Sequence, residues 1–507
     1  MPMCIETALT NLESHKKHNP ENGGQRSAVK NKISMLKKLL FATALLHAVT
    51  WQASAQKKTA PKPPNIVLIV SDDHSAPFLS SYGYPQIKTP NIDRLAAEGI
   101  RFSRAYTTAP QCVLSRAAIM TGRNTLDVQM TRFSAPLDAS VTSYPELLRK
   151  GGYHTGILGR NFHLDGNRRV PETVAVLEKY GLETFKNRVD YLNATGNRDS
   201  IFQQYTEFLD KAPKDKPFFV QVGYSDPHRI FNAKNFEPDP QSLTLPRHWP
   251  DTKGVRADFA SYLGEIQRLD SDVGRVLDDL KKRGLEENTL VVFIGDNGGA
   301  LLRGKGTLYD LGIHVPLIIR HPKLIKAGQV SDALVSGIDI APTFLTVAGV
   351  PVPKEITGKS LTSAFTDPRQ GGHEYIFAVR GAHGQGLPTN SSNFDLGRTI
   401  FNKKYKLIYN AIWQIPYHPV DFAGQPFWLE LKQQHAEGKL DEKFDQLLFA
   451  ERRKMFEIYD LQADPDETNN LSGRAEVAAV EHDLKARLQE WMILNRDYLP
   501  LPIAPEN

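Results

Sequence analysis

Cysteine is nearly absent: 507 residues hold two, Cys4 and Cys112. That excludes a disulfide-built scaffold. Charge of one sign is also scarce, with 62 basic against 57 acidic residues and a formal net charge of +5. Long apolar runs are missing. The stretch Leu39–Val49 falls short of the roughly 20 residues that a spanning helix needs, and it carries His47. No His/Cys cluster has zinc-finger spacing, and there are no internal repeats or low-complexity tracts. What remains is ordinary globular usage, 40% hydrophobic and 23% charged. The length suits one large α/β unit or two to three smaller domains.

The N-terminal residues do not read as fold. Residues 1–34 are polar and aperiodic, as expected of a non-native or disordered extension. Met35-Leu36-Lys37-Lys38, the apolar run and Ala53-Ser54-Ala55 follow in the order of a secretory signal peptide, predicted over 35–55. No cysteine follows the apolar run, so no lipid anchor is indicated, and a stable membrane anchor is not expected. Residues 56–63 read as a Lys/Pro linker. Residues 1–55 carry seven basic and three acidic residues, so 55 basic and 54 acidic residues remain after them, a net of +1. A global basic field for nucleic acid is then absent. Cys112 becomes the sole thiol of an exported chain, periplasmic or secreted, which flags a reactive residue beside the plainer reading of a small buried side chain.

Short β-branched runs predict strands at 65–70, 102–106, 154–158, 218–224, 289–294 and 315–319. Helical periodicity predicts helices at 92–98, 115–121, 144–151, 259–283 and 340–348. Alternation of the two implies a doubly wound, mostly parallel sheet, in which ligands sit beyond the carboxyl ends of the strands. After about residue 370 the texture changes. An alternating strand over 399–410, another over 456–461 and an amphipathic helix over 475–494 predict a smaller α+β domain at 373–507, beside a catalytic domain at 64–372.

Three predicted strands end in polar clusters: Asp72-Asp73, Asp226-Pro227-His228, and Asp296-Asn297. Three carboxylates and an amide oxygen are hard ligands, suited to Ca²⁺, or to Mg²⁺ as the alternative. Either pair alone also fits a helix cap or a turn. Cys112 stands just ahead of a helix whose N-terminus offers partial positive charge, and Arg116 follows one turn later.

The segment TTAPQCVLSRAAIMTGR, residues 107–123, resembles the signature of the type I, formylglycine-dependent sulfatases. PNIVLIVSDD, TPNIDRLAAEGIRF, NTLVVFIGDNGG, GKGTLYDLGIHVPLII and FEIYDLQADPDETNNL follow that family's pattern in order, so the resemblance covers nearly all of residues 64–500. It implies an alkaline-phosphatase-like mixed sheet and a formylglycine made from Cys112 by a formylglycine-generating maturation enzyme. It also implies a metal, usually calcium, held by Asp72, Asp73, Asp296 and Asn297 with position 112. Arg116 would hold the formylglycine hydrate, and Lys305 would contact the sulfate. His228 would protonate the leaving group. Arg160 and His163 match a lysine and a histidine of the family, with arginine replacing the lysine and one extra residue between them. Leu114 stands where the family motif has proline or alanine.

YSDPHR, the insert reaching LPRHWPDT, and RTIFNKKYKLIYNAIWQIPYHPVDF resemble the heparan N-sulfatase (sulfamidase) branch. The expected activity is sulfate release from a sulfated glycan, with N-sulfated glucosamine as the substrate. Arg380 and His383 are candidates for reading an anionic group of the glycan, and Trp413 and Tyr417 for stacking on sugar faces. Three alternatives stay open: an O-sulfatase on another polysaccharide, such as an algal one; a phosphonate or phosphate monoester hydrolase of the same fold; and an inactive glycan-binding homologue, if Cys112 is not converted.

Overall fold

A computed structural model describes residues 63–502, except 134–135, 161, 166–170, 194–196 and 384–393. At 162–163 it describes the backbone but not the side chains. The extension, the signal peptide and all but the last residue of the linker lie outside the described residues. Among those described, no helix is long and apolar enough to cross a membrane.

Fourteen strands are described. They are β1 (Asn65–Ser71), β2 (Ile100–Phe102), β3 (Ala105–Tyr106), β4 (His154–Gly159), β5 (Tyr191–Asn193), β6 (Phe218–Gly223), β7 (Thr289–Gly295), β8 (Leu317–Arg320), β9 (Gln329–Ser331), β10 (Val335–Ser336), β11 (Ile376–Arg380), β12 (Gly397–Phe401), β13 (Tyr405–Asn410) and β14 (Phe456–Asp460). The main sheet runs β5-β4-β6-β1-β7-β8-β2-β9. All its pairs are parallel except those of β8, which is antiparallel to both β7 and β2. This is the expected doubly wound mixed sheet.

Strand β1 explains the layering. All seven of its residues are buried, as a central strand covered on both faces requires. Ile66, Leu68 and Val70 point to one side, among Val113, Met120, Tyr144 and Phe344. Val67 and Ile69 point to the other, among Ile92, Tyr205 and the long helix Lys253–Lys282, whose Phe259, Leu263, Ile266 and Val273 fall on one stripe.

Register then builds the site. Val70 pairs with Gly223, Ser71 with Gly295, and Gly159 with Gly223. Four strands therefore end level, and the residues after them, Asp72, Arg160, the 226–228 turn and Asp296, emerge at one edge.

The second sheet is antiparallel, in the order β11-β12-β13-β14. One face packs against the helix Ala478–Leu494 through Leu407, Ile458, Leu484 and Leu488. The other packs on Tyr106, Leu308 and Ile313, which flank the main sheet's strands. Two expected single strands are each broken in two. The stretch 399–410 is a hairpin, β12 and β13, turned at Asn402, whose side chain accepts from the Lys404 and Tyr405 amides. The stretch 102–106 divides into β2 and β3. Only Ser103-Arg104 interrupts the first stretch and only Asn402-Lys403-Lys404 the second, polar breaks too short for periodicity alone to reveal.

Candidate active site

The helix expected to begin at Ser115 begins at Cys112 and spans Cys112–Thr121, ending at the left-handed Gly122 (φ 66°). Its N-terminal neighbour Gln111 clasps the second sheet: Nε2 donates to the Gly381 carbonyl, and the Gly381 amide donates to Oε1, both at 2.9 Å. Ser115 Oγ donates to the Asp296 carbonyl, which locks the helix to the end of β7. Gly298 is obligatory here, because a Cβ would stand 1.8 Å from the Leu311 carbonyl oxygen.

Asp72, Asp73, Cys112, Asp296 and Asn297 are all fully buried. The Cys112 Sγ lies 3.3 Å from Asp72 Oδ1 and 3.7 Å from Asp73 Oδ1. Ligand-type atoms of Asp72, Asp73, Cys112 and His228 lie within 4.8 Å of one another. Asp296 is tied to that group, with Oδ1 accepting from the Asp73 amide at 3.0 Å and the Asn297 amide at 2.7 Å. Asn297 Nδ2 donates to Asp73 Oδ1 and to the Gly298 carbonyl, both at 2.8 Å. Its Oδ1 is buried without a hydrogen-bond partner. An orphaned buried acceptor beside three buried carboxylates fits the donor set that a hard divalent cation takes.

Cations surround this acidic centre. Arg116 Nε donates to Asp296 Oδ2 at 2.8 Å and Nη2 to Asp72 Oδ2 at 3.2 Å, while Nη1 donates to the Arg160 carbonyl at 2.7 Å. Arg160 Nε stands 2.5 Å from Asp72 Oδ2. Lys305, at 1% exposure, has Nζ 2.9 Å from the Asp73 carboxylate. His228 Nε2 is 3.8 Å from Asp73 Oδ2. His163 lies in the short turn Phe162–Asp165, and its side chain is outside the described residues.

Charge is not shared evenly. Burial alone would raise the Asp72 carboxyl, but Arg160 and Arg116 hold it well below the usual carboxylate range. Asp73 and Asp296 have fewer compensating cations. Burial and neighbouring carboxylates push them up, to about 6 and about 7. This uncompensated negative charge is what a bound cation would neutralise. Burial, with Asp72 and Asp73, also raises the Cys112 thiol well above its ordinary value. The helix N-terminus was expected to favour a reactive thiol, but two carboxylates within 4 Å outweigh it, so the thiol stays protonated. Burial, Lys305 and Arg160 lower His228 to about 3, so its ring is neutral without a ligand.

One residue escaped the sequence reading. Asp421, in left-handed backbone (φ 66°), places Oδ2 2.6 Å from Lys305 Nζ and 3.7 Å from His228 Nε2, and Oδ1 3.5 Å from His383 Nε2. Its only sequence signal was a place inside the long segment that suggested a sub-branch. Next to it, Phe422, Phe427 and Trp428 join the core beside the long helix, which anchors the loop. His383 therefore meets the centre through Asp421. Arg380 does not bond to the cluster; it pairs with Asp395 at 2.9 Å. Tyr417 packs edge-on against Trp428, and its hydroxyl accepts from the Arg303 amide at 3.2 Å, so it is tied into the fold. Trp413 is half-buried on the same segment.

Comparison with protein families matches residues 64–350 to the family described as Sulfatase. The chain is 29% identical over 490 residues to the N-sulphoglucosamine sulphohydrolase of Homo sapiens, covering 88% of this chain and 92% of that protein. It is 28% identical over 473 residues to an ulvan-active sulfatase of Formosa agariphila, covering 87% of this chain and 77% of that protein. A solved structure of a protein in complex with its substrate D-glucosamine-2-N,6-O-disulfate shares the fold, with a TM-score of 0.65 at 23% identity over 87% of this chain and 99% of that one.

Proposed function

The chain belongs to the sulfatase family, and on that premise we propose that it is an exported sulfatase of glycans, releasing the N-sulfate of glucosamine in heparin or heparan sulfate. As a sulfatase it is a hydrolase of sulfate esters or sulfamates. The observation that carries the reading is the meeting of Cys112, the Asp72/Asp73/Asp296/Asn297 oxygen set and the cations Arg116, Arg160 and Lys305 at one buried centre. The N-sulfate assignment rests on the human relative, which aligns over 92% of its length. The ulvan-active relative, at 28% identity, favours the second reading, an O-sulfatase on an algal polysaccharide.

In this mechanism Asp72, Asp73, Asp296 and Asn297, with position 112, would hold Ca²⁺ or Mg²⁺. When bound, the ion would supply Lewis-acid polarisation of the sulfate oxygens. A maturation enzyme would convert Cys112 to formylglycine, whose hydrated aldehyde would supply the nucleophile that a protonated thiol cannot. Arg116 and Arg160 fix the Asp72 side of the centre and present N–H groups to the anionic transition state, and Lys305 does the same from the Asp73 side. His228 is neutral until an anion enters. Negative charge beside the ring raises its affinity for a proton, which it passes to the leaving nitrogen or oxygen. His163, three residues after Arg160, would contact the sulfate from the same side. Asp421 orients Lys305 and His228, and with His383 it offers an acceptor and a ring nitrogen to the sugar. On this reading residues 64–372 carry the chemistry, and 373–507 close the pocket.

The test is a screen of defined heparan, chondroitin and ulvan oligosaccharides for released sulfate. Release from N-sulfated glucosamine is expected. Release from O-sulfated substrates alone would move the assignment to an O-sulfatase, and tight binding without release would make the chain a glycan-binding homologue.

A further inference from the structure

A cavity of about 330 Å³ is walled in part by the loop that carries Lys305. Lys305 points to Asp73, whereas Arg303, Thr307, Leu308 and Tyr309 of the same loop line this cavity. The remaining wall comes from the second sheet and the segments around it, including Arg380, Arg452, Arg453 and Lys454. Arg380 Nη2 lies 3.8 Å from where a Cβ on Gly306 would stand, so this lining residue approaches the loop one residue beyond Lys305.

The lining is unbalanced in charge. It holds five cationic side chains and one carboxylate, Glu457. Glu457 is already engaged by Tyr309 Oη at 2.8 Å, Tyr459 Oη at 2.7 Å and Asn410 Nδ2 at 2.6 Å. Asp395 is shared between Arg380 at 2.9 Å and Arg453 at 2.7 Å. Arg303 and Arg380 are each only 4% exposed, and the Nε of each has no hydrogen-bond partner. Buried guanidinium N–H groups without acceptors are costly unless an acceptor arrives. Burial, with Arg453 nearby, lowers the Arg380 affinity for its proton despite Asp395.

We propose that this cavity is an oxyanion subsite, distinct from the catalytic centre, that takes a sulfate or carboxylate group through Arg303 and Arg380, with Arg452 and Lys454 at its rim. Guanidinium forks match both groups in geometry and charge. Two sources carry that chemistry: a second anionic substituent of the bound glycan, which rests on the sulfatase reading above, or free inorganic sulfate, which does not.

Isothermal titration of the full-length chain separates them, using a Cys112→Ala background to prevent turnover and comparing it with the exposed-rim variant Arg452→Glu/Lys454→Glu. The probes are inorganic sulfate and a heparin-derived tetrasaccharide. Two sulfate equivalents per chain, falling to one in the rim variant, would establish the subsite with the free anion as ligand. One equivalent throughout, with tetrasaccharide affinity falling about tenfold or more in the rim variant, would establish it with the glycan as source. Identical titrations of both proteins with both probes would overturn the proposal. Arg380→Gln is the companion variant, checked by circular dichroism, and should reproduce the rim result. A chain that releases no sulfate from any glycan but keeps its second sulfate equivalent would refute the sulfatase reading and leave the subsite standing.

Discussion

Lys305 and Asp421 form an ion pair of 2.6 Å at the mouth of the acidic centre, although they belong to different sheets' connecting segments. The same carboxylate approaches His228 at 3.7 Å and His383 at 3.5 Å. Removing its charge should release all three. Asp421→Asn is expected to lower kcat by roughly 10–100-fold, the range seen when a group that orients reacting side chains is lost. Loss of the orientation of His228 should also move the pH profile. Wild-type kcat and an unshifted profile would assign Asp421 no part in positioning.

Cys112 is the second test. Mass spectrometry across its peptide should show the mass loss of thiol-to-aldehyde conversion in protein from an active preparation. Cys112→Ala should cut turnover by a factor on the order of 10⁴ or more, as loss of a nucleophile does, while leaving the fold intact by circular dichroism. An all-thiol peptide in fully active enzyme would rule out the mechanism, because burial and the neighbouring carboxylates keep the thiol protonated.

Metal removal has a pH signature. Without a cation, Asp73 and Asp296 titrate near 6 and 7, above the ordinary 3.8. A carboxyl raised in the folded state contributes stability that is present at low pH and is lost as pH rises through the folded value. A divalent cation takes over from those protons, so its contribution should grow in the same window. The Ca²⁺-induced rise in Tm, measured against chelator, should be larger at about pH 8 than at about pH 5. An equal rise at both would contradict Asp73 and Asp296 as ligands.

The two sheets are joined by a buried charge as well as by apolar contact. Lys406, fully buried on β13, has Nζ 2.5 Å from Asp310 and 2.8 Å from Glu467. Lys406→Met leaves both carboxylates uncompensated, and is expected to cost about 3–5 kcal/mol. Urea unfolding checks this through the transition midpoint, and an unmoved midpoint would assign the pair no net role.

Much of the centre was legible because its parts follow strand ends. A buried β-branched run followed by Asp72-Asp73, and another followed by Asp296-Asn297, can be read locally, since a parallel sheet brings such ends to one edge. Cys112 and Arg116 share a single helical turn. Asp421 had no such marker: it follows no strand, and its position depends on how Phe422, Phe427 and Trp428 find the core beside the Lys253–Lys282 helix.

The scarcity of cysteine was itself decisive. With Cys112 alone in the described chain, the sequence by itself determined which thiol stands in the buried centre, which oxygens gather around it and which sheet presents them. Only the tertiary structure decided that Cys112 is a protonated thiol, that Asp421 and His383 come to the mouth, and that a cationic cavity borders the loop that carries Lys305. Ligand identity follows from residue type and local periodicity. Proton affinity and charge balance depend on burial and on neighbours far away in the chain, which folding alone brings within a few ångströms.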